Sequence, residues 1–487
     1  MSNLSVWLTP LWLIALGTSI GALILLIAWG IVWAVNRQLG RSILTTIQEG
    51  ILLPVSYALA VLAVLAVAAS PLMPLERMWS SLVRLPHVGP VSFEIEVPAG
   101  KSDVEIALPV RVDEVQSYSI ESAEDVAINV EPGKGFIEPL TIVEGGQLHQ
   151  WSPGSSVPRG FDEDIQTLYL SNESGLPTVV KGTFQTDVEM PEVHDLVVTA
   201  ASVMGLFLVY FLIRWLAPQV SVIATATAKE AVSQPLYALL LAVGVVALVA
   251  YVIIPYNTFG EDVKMLKTSG MVTIKILAII IALWTASVSV SDEIEGRTAL
   301  TVLSKPVGRR QFILGKFLGI VWPIVLIFIV LGLVFLFTVS VKVVYDAREA
   351  SKLTPEWQEC YAEVVRIIPG LVLAFFEAVV IAAISVAIST RLTMLPNLVI
   401  CGSIYVLGHL GPLIVKSAAG KLVFVKFIGQ FISVLFPVLD HYEIEGAIAG
   451  SSTVPTEYLL MTLLYSFLYC TAAMLLALFF FEDRDLA

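Results

Sequence analysis

The sequence predicts a polytopic α-helical membrane protein of about nine spans, with an all-β, sandwich-like domain inserted outside the membrane. Three observations lead there. The 487 residues are 57% hydrophobic and only 14% charged, where a soluble domain carries roughly 25% charged residues. The apolar residues, at a mean hydropathy of +0.84, gather in blocks of about 20 or more, the length that crosses roughly 30 Å of hydrocarbon. The charge is also uneven. Between His87 and Asp195 there are 20 Asp or Glu against five Lys or Arg, so this segment carries −15 while the whole chain carries −13. An acidic block of this kind argues against nucleic acid as a partner.

In chain order, nine runs qualify as spans: about 11–35, 51–70, 196–217, 235–255, 271–290, 317–341, 365–389, 396–415 and 457–481. Pro54 suggests that the second run starts in the headgroup region. The first ten residues carry no positive charge, so the first run is expected to stay as a spanning helix rather than to be cleaved as a signal. Lys and Arg counted over short loops set the orientation. Segments 36–50, 214–231, 292–316, 390–395 and 482–487 hold eleven of them. The opposite set, 1–10, 256–270, 342–364 and 417–456, holds seven over a greater length. The first set is therefore placed in the cytoplasm. The N-terminus, 71–195 and the loop near Glu443 are placed outside, as in a bacterial cytoplasmic (inner) membrane protein.

The domains expected are 1–75 (two spans), 76–194 (the outside β domain), 195–219 (a third span) and 220–487 (six spans). Val91–Val97 alternates with period two, as a half-buried strand does. Val104–Val112, Ser117–Glu121, Val126–Val130, Gln166–Leu170 and Val179–Val188 repeat the pattern. Pro98-Ala-Gly100, Pro132-Gly133, Gly145-Gly146 and Pro153-Gly154 separate them as turns. Short strands at this spacing predict an immunoglobulin-like sandwich architecture. Asn172-Glu-Ser174 fits a glycosylation triplet, a pattern common by chance. Ala224–Gln234, ahead of Pro235, reads as an amphipathic helix in the cytoplasmic interface.

Cys360, Cys401 and Cys470 lie far apart without a CxxC pair, which argues against a disulfide framework or a zinc site. The five histidines form no HExxH pair, so no metal ligand set is expected. Glu377 sits near the middle of an apolar run, where an ionisable group faces a cavity or a partner. It is a candidate for a translocation path, the bland alternative being a paired or protonated packing residue. Lys275 is expected to snorkel to the headgroups, and His409 to be a packing residue. Phe431–Leu439, too short to span, reads as a re-entrant or interfacial hairpin ahead of His441, Tyr442, Glu443 and Glu445.

The most informative stretch is Ser291–Lys316. Asp292, Glu293 and Glu295 favour the positive end of a short helix. Gly296-Arg297 follow, and Leu300 and Leu303 at i and i+3 make a small apolar ridge suited to a partner's groove. Pro306 disfavours helix at Lys305. Arg309 and Arg310 come next, and Gly315-Lys316 open the following span. Alone, this is a charged intracellular turn.

The order of these features resembles the cytoplasmic signature of type-two ABC exporter permeases, in particular those associated with gliding motility and nitrous-oxide reductase maturation. Phe436–Ile448, Val454-Pro455 and the ending Phe481–Leu486 are similar to the same family, so the resemblance covers about 220–487. It implies a permease core of six helices that pairs with a second permease subunit, identical or related. It also implies a separate ATP-binding subunit, carrying ATP and Mg, that docks on 291–316. The acidic tail Glu482–Asp485 departs from the family and is not assigned to that contact.

The chain itself lacks a phosphate loop. Gly308 stands seven residues before Gly315, and Phe317 follows Lys316 where Ser or Thr is needed. It is therefore expected to bind no cofactor and to be no enzyme. The expected function is a transport subunit, an exporter by resemblance. One alternative is a mechanical assembly factor acting through the β domain on an extracytoplasmic protein partner. The other is an ATP-independent anchor or receptor.

Overall fold

A computed structural model describes residues 3–155, 159–254, 261–296, 307–416, 424, 427, 431, 436–449 and 454–482. The chain divides into two compact units, residues 73–198 and the remainder, 1–72 with 199–487.

The smaller unit is the β domain. Its strands are β1 (Pro90–Val97), β2 (Val104–Val110), β3 (Val115–Ser122), β4 (Val126–Asn129), β5 (Thr141–Val143), β6 (Leu148–Trp151), β7 (Ile165–Ser171) and β8 (Thr178–Thr186). They form two four-stranded sheets, ordered β1-β8-β3-β6 and β2-β7-β4-β5. Alternate residues of both sheets share one core, including Tyr118, Ile120, Val180 and Phe184 from the first, and Ile128, Leu168 and Leu170 from the second. This is a sandwich, but its order departs from the immunoglobulin one. There the first and last strands lie in different sheets, whereas β1 and β8 here are antiparallel neighbours along their length. That pairing brings the two ends of the domain together. The short strands β5 and β6 lie outside the segments that alternate in the sequence.

Polar residues fix the corners of the sandwich. Burial pushes the Tyr118 hydroxyl up to about 12, so it stays protonated and donates to the Arg159 carbonyl at 2.9 Å. Asn172 is fully buried. Its amide donates to the Leu176 carbonyl at 2.9 Å, and its side-chain oxygen accepts from the Ser174 N–H at 2.8 Å. The glycosylation triplet is therefore a structural turn. A helix absent from the sequence expectation, α4 (Leu75–Arg84), precedes β1. Arg84 grips Glu114 through two charge-assisted bonds of 2.8 and 2.7 Å.

The larger unit is helical, starting with α1 (Asn3–Val35), α2 (Arg37–Glu49) and α3 (Leu53–Ala69). After the β domain come α5 (Val193–Leu216), α6 (Pro218–Ser233), α7 (Pro235–Ile253), α8 (Asp262–Ala286) and α9 (Arg309–Glu349). The rest are α10 (Trp357–Val365), α11 (Ile368–Ser389), α12 (Met394–Lys416), α13 (Glu445–Ala449) and α14 (Thr456–Glu482). Among the described residues, eight helices are long and apolar enough to cross a bilayer: Leu4–Val35, Leu53–Leu72, Val193–Leu216, Pro235–Ile253, Asp262–Ser291, Arg309–Glu349, Trp357–Ser389 and Thr456–Glu482. The chain is a multi-pass helical membrane protein with a β domain. The ninth expected span coincides with α12, where the described side chains give only the shorter apolar stretch Met394–Leu410.

At 41 residues, α9 is about 60 Å long, and α6, α7, α8, α11 and α1 all pack along it. Its glycines explain one close approach. A Cβ on Gly315 would stand 2.7 Å from the Ile223 Cβ, and one on Gly319 would stand 2.8 Å from the Ala224 carbonyl oxygen. This Gly-x-x-x-Gly stripe lets two backbones touch where dispersion, rather than the hydrophobic effect, drives association. The helix expected at 224–234 is thus longer, Pro218–Ser233, and buries Val220, Ile223, Ala224, Thr227, Ala228 and Ala231. The 36–50 connection is also helical. Asn36 caps α2 by accepting from the Gln38 and Leu39 N–H groups at 3.0 and 3.2 Å.

Candidate functional site

Two constellations sit on α8. The first is at its C-terminal end, where Ser287–Asp292 winds as a π-helix and Glu293–Glu295 adds a further turn. A widened turn of this kind is frequent at functional sites, and here a buried polar hub supports it. The Asn397 amide of α12 lies 2.8 Å from the Ser287 hydroxyl, 2.8 Å from Ser385 and 3.0 Å from Ser389 of α11. All four residues are fully buried, so the hub ties α8, α11 and α12 together where the chain leaves the core.

Beyond the π turn, Glu293 meets Lys316 at 2.5 Å. Lys316 is 4% exposed and also stands 5.6 Å over the Phe312 ring. Phe312 stacks on Phe481 of α14 at 5.6 Å. Arg309 covers the other end of this stack, 5.9 Å from the Phe481 ring, and donates to the Glu482 carbonyl at 2.7 Å. The end of α8, the start of α9 and the end of α14 are therefore locked together. Of the residues singled out in 291–316, Glu293, Arg309 and Lys316 join this cluster, while Gly296 and Arg310 are exposed. Asp292 and Glu295 lie on the turn, with side chains outside the described set. Arg297, Leu300, Leu303, Lys305 and Pro306 lie outside the described residues.

The second constellation is a buried charge cluster about 18 Å back along α8, twelve residues at 1.5 Å each. Lys275 is 3% exposed and Glu377 of α11 is fully buried. The Lys275 Nζ lies 3.5 Å from Glu377 Oε2 and 3.9 Å from Glu443 Oε1. His409 of α12 completes the group, its Nε2 3.3 Å from Glu377 Oε1 and 3.5 Å from Glu443 Oε1. Lys275 does not snorkel as expected, because two carboxylates meet it in the core. His409 is not simple packing either. Its Nδ1 faces the Tyr405 carbonyl at 3.0 Å, and a carbonyl only accepts, so that nitrogen carries the hydrogen. Nε2 is then turned toward the carboxylate oxygens of Glu377 and Glu443.

Glu443 differs from the other three. It belongs to the segment before α13, and its side chain is 46% exposed. The cluster thus has a fixed part, Lys275 with Glu377, and a part that solvent reaches. The segment expected as a hairpin, 431–439, is described only at Phe431 and from Phe436 onward. Sequence reasoning named Glu377, Lys275, His409 and Glu443 singly but did not join them, since they come from four separate places in the chain. The available signal was a lone charge in each of several apolar runs, since such charges pair with one another.

Other charges at the opposite end of α8 are also paired. Lys267 bonds Glu363, and Lys342 lies 3.2 Å from Asp262. One carboxylate oxygen each of Asp262, Asp346 and Glu349 falls within 4.8 Å of the others. Lys342 already supplies the positive charge at Asp262 that a metal would bring, so the trio reads as an ion-pair network. No protein-family model matches the chain, and none of the curated proteins is similar to it.

Proposed function

We propose that this chain is the permease subunit of an ATP-driven exporter, energised by a separate ATP-binding subunit that docks on 291–316. The observation that carries the reading is the segment itself. Its order of residues resembles the coupling loop of type-two permeases, and the Glu293–Lys316 pair closes its two ends at the foot of the helical core. A second permease subunit would complete the path, and ATP and Mg would reside on the partner. By the charge count, segment 291–316 and the C-terminus face the cytoplasm, while the N-terminus and β domain lie outside.

The geometry offers a way for work to pass. A push on 291–316 acts on the π turn and through it on α8, whose backbone is continuous to Lys275. At that level the buried pair Lys275–Glu377 resists separation, because parting two charges in a low-dielectric core leaves each uncompensated. Glu443 is the member that can leave, since its side chain is already 46% exposed. The stroke of the ATPase would open and close this contact and so gate the outer end of the path.

The test is capture of the ATPase by the intact chain from its native membrane, followed by assay of hydrolysis. Glu293→Ala and Arg309→Ala are each expected to weaken capture and to uncouple hydrolysis from the permease. A chain that retains no ATPase would end the reading. Full coupling in both variants would remove these two residues from the contact.

A further inference from the structure

A cavity of about 380 Å³ opens between α2 and α6, where the chain turns between α1 and α3 and again between α5 and α7. Its polar lining comprises Ser42, Thr45 and Thr46 from α2, Arg214 from the end of α5, and Thr225 and Lys229 from α6. No acidic side chain lines it among the described residues. A second observation marks the same place. Tyr210 is 7% exposed, and its hydroxyl has no hydrogen-bond partner. That hydroxyl stands 3.0 Å from where a Cβ on Gly50, which also lines the cavity, would be.

The surroundings identify the occupant. Val222, which lines the cleft, is more than half exposed, and so are Trp215 and Leu216, which follow Arg214 in the chain; such apolar surface beside cations does not suit water alone. Arg37 and Arg41 add exposed cations to α2. Both connections lie at the same end of the helices, because the chain crosses outward in α3 and returns in α5. Basic clefts between spanning helices, at headgroup depth, bind anionic lipid headgroups.

We infer that this cleft is a binding site for the phosphate of an anionic phospholipid. Arg214 and Lys229 hold the phosphate, and the hydroxyls of Ser42, Thr45 and Thr225 surround the glycerol. The acyl chains run along Trp215, Leu216 and Val222. The site owes nothing to the nucleotide-driven reading and stands on the membrane class alone.

Native mass spectrometry of the intact chain in neutral detergent, titrated with phosphatidylglycerol or phosphatidylcholine, tests it. Phosphatidylglycerol is expected to bind more tightly. The Arg214→Gln/Lys229→Gln variant should lose roughly 25-fold in that affinity, about fivefold per charge, with phosphatidylcholine unchanged. Lys229→Gln alone, at an exposed position that spares the fold, should lose about fivefold. Equal retention of the two lipids by the natural chain would overturn the site. So would unchanged phosphatidylglycerol binding by either variant. Full displacement of phosphatidylglycerol by inorganic phosphate at the same concentration would overturn the lipid in favour of a free anion.

Discussion

Glu377 and Lys275 are each costly alone and tolerable together. Truncating one leaves the other charge buried without its partner. Glu377→Leu is therefore expected to lower stability by about 3 kcal/mol, the lower end for a broken buried pair. The Lys275→Met/Glu377→Leu double variant should recover much of that loss, because neither member of the pair is left charged and buried without the other. Thermal unfolding of the four proteins in one detergent measures the cycle. Additive losses would show that the two side chains do not act on each other. Glu377 was visible in the sequence as a carboxylate inside an apolar run. Its pairing with Lys275 and Glu443 was not, since 102 residues separate Lys275 from Glu377 and another 66 separate Glu377 from Glu443. No local pattern encodes such a distance. The same holds for Asn397, whose three serine partners belong to two other segments.

At the scale of elements, the contact of α6 with α9 depends on the absence of side chains. A Cβ on Gly319 would lie 2.6 Å from the Thr227 Cβ as well as 2.8 Å from the Ala224 carbonyl. Gly319→Ala is expected to force the helices apart and to cost about 1–3 kcal/mol. Gly332→Ala on the same helix is the control, since its nearest neighbour would be 3.7 Å away. A smaller thermal shift for Gly319 than for Gly332 would contradict this account of the packing. Helix positions were readable from apolar periodicity and length. The helices that the sequence did not place, α2, α4, α10 and α13, are short. Their segments lack the long apolar runs that mark a span, so they read as polar connections. In the β domain, six strands followed from alternation, but the pairing of β1 with β8 did not. It joins residues about 90 positions apart, such as Phe93 and Gly182. A Cβ on Gly182 would lie 2.3 Å from the Phe93 ring, so the glycine is there to admit the aromatic side chain opposite.

At the scale of the molecule, a domain whose first and last strands are neighbours can be removed without leaving a long gap. Replacing residues 90–186 by a short Gly/Ser linker should leave the helical unit folded, because each unit has its own core. If the domain only recruits a partner, transport by the trimmed chain should persist. If it delivers force to an extracytoplasmic protein, function should vanish while ATPase capture remains. Loss of folding in the trimmed chain, read by size-exclusion and thermal unfolding, would show instead that the helices require the domain.

The sequence by itself determined the membrane class, the positions of most of the apolar runs and the acidic β insertion. All of these are local quantities: length, hydropathy, period and order. Only the tertiary structure decided that Lys275, Glu377, His409 and Glu443 form one cluster, and that the sandwich closes through β1 and β8. It alone brought the hydroxyls of α2 together with Arg214 of α5 and Lys229 of α6 around one cleft. The physical reason is common to the three. A charge or polar group taken out of water must find its partner in space, and the chain does not record in its spacing which partner that is.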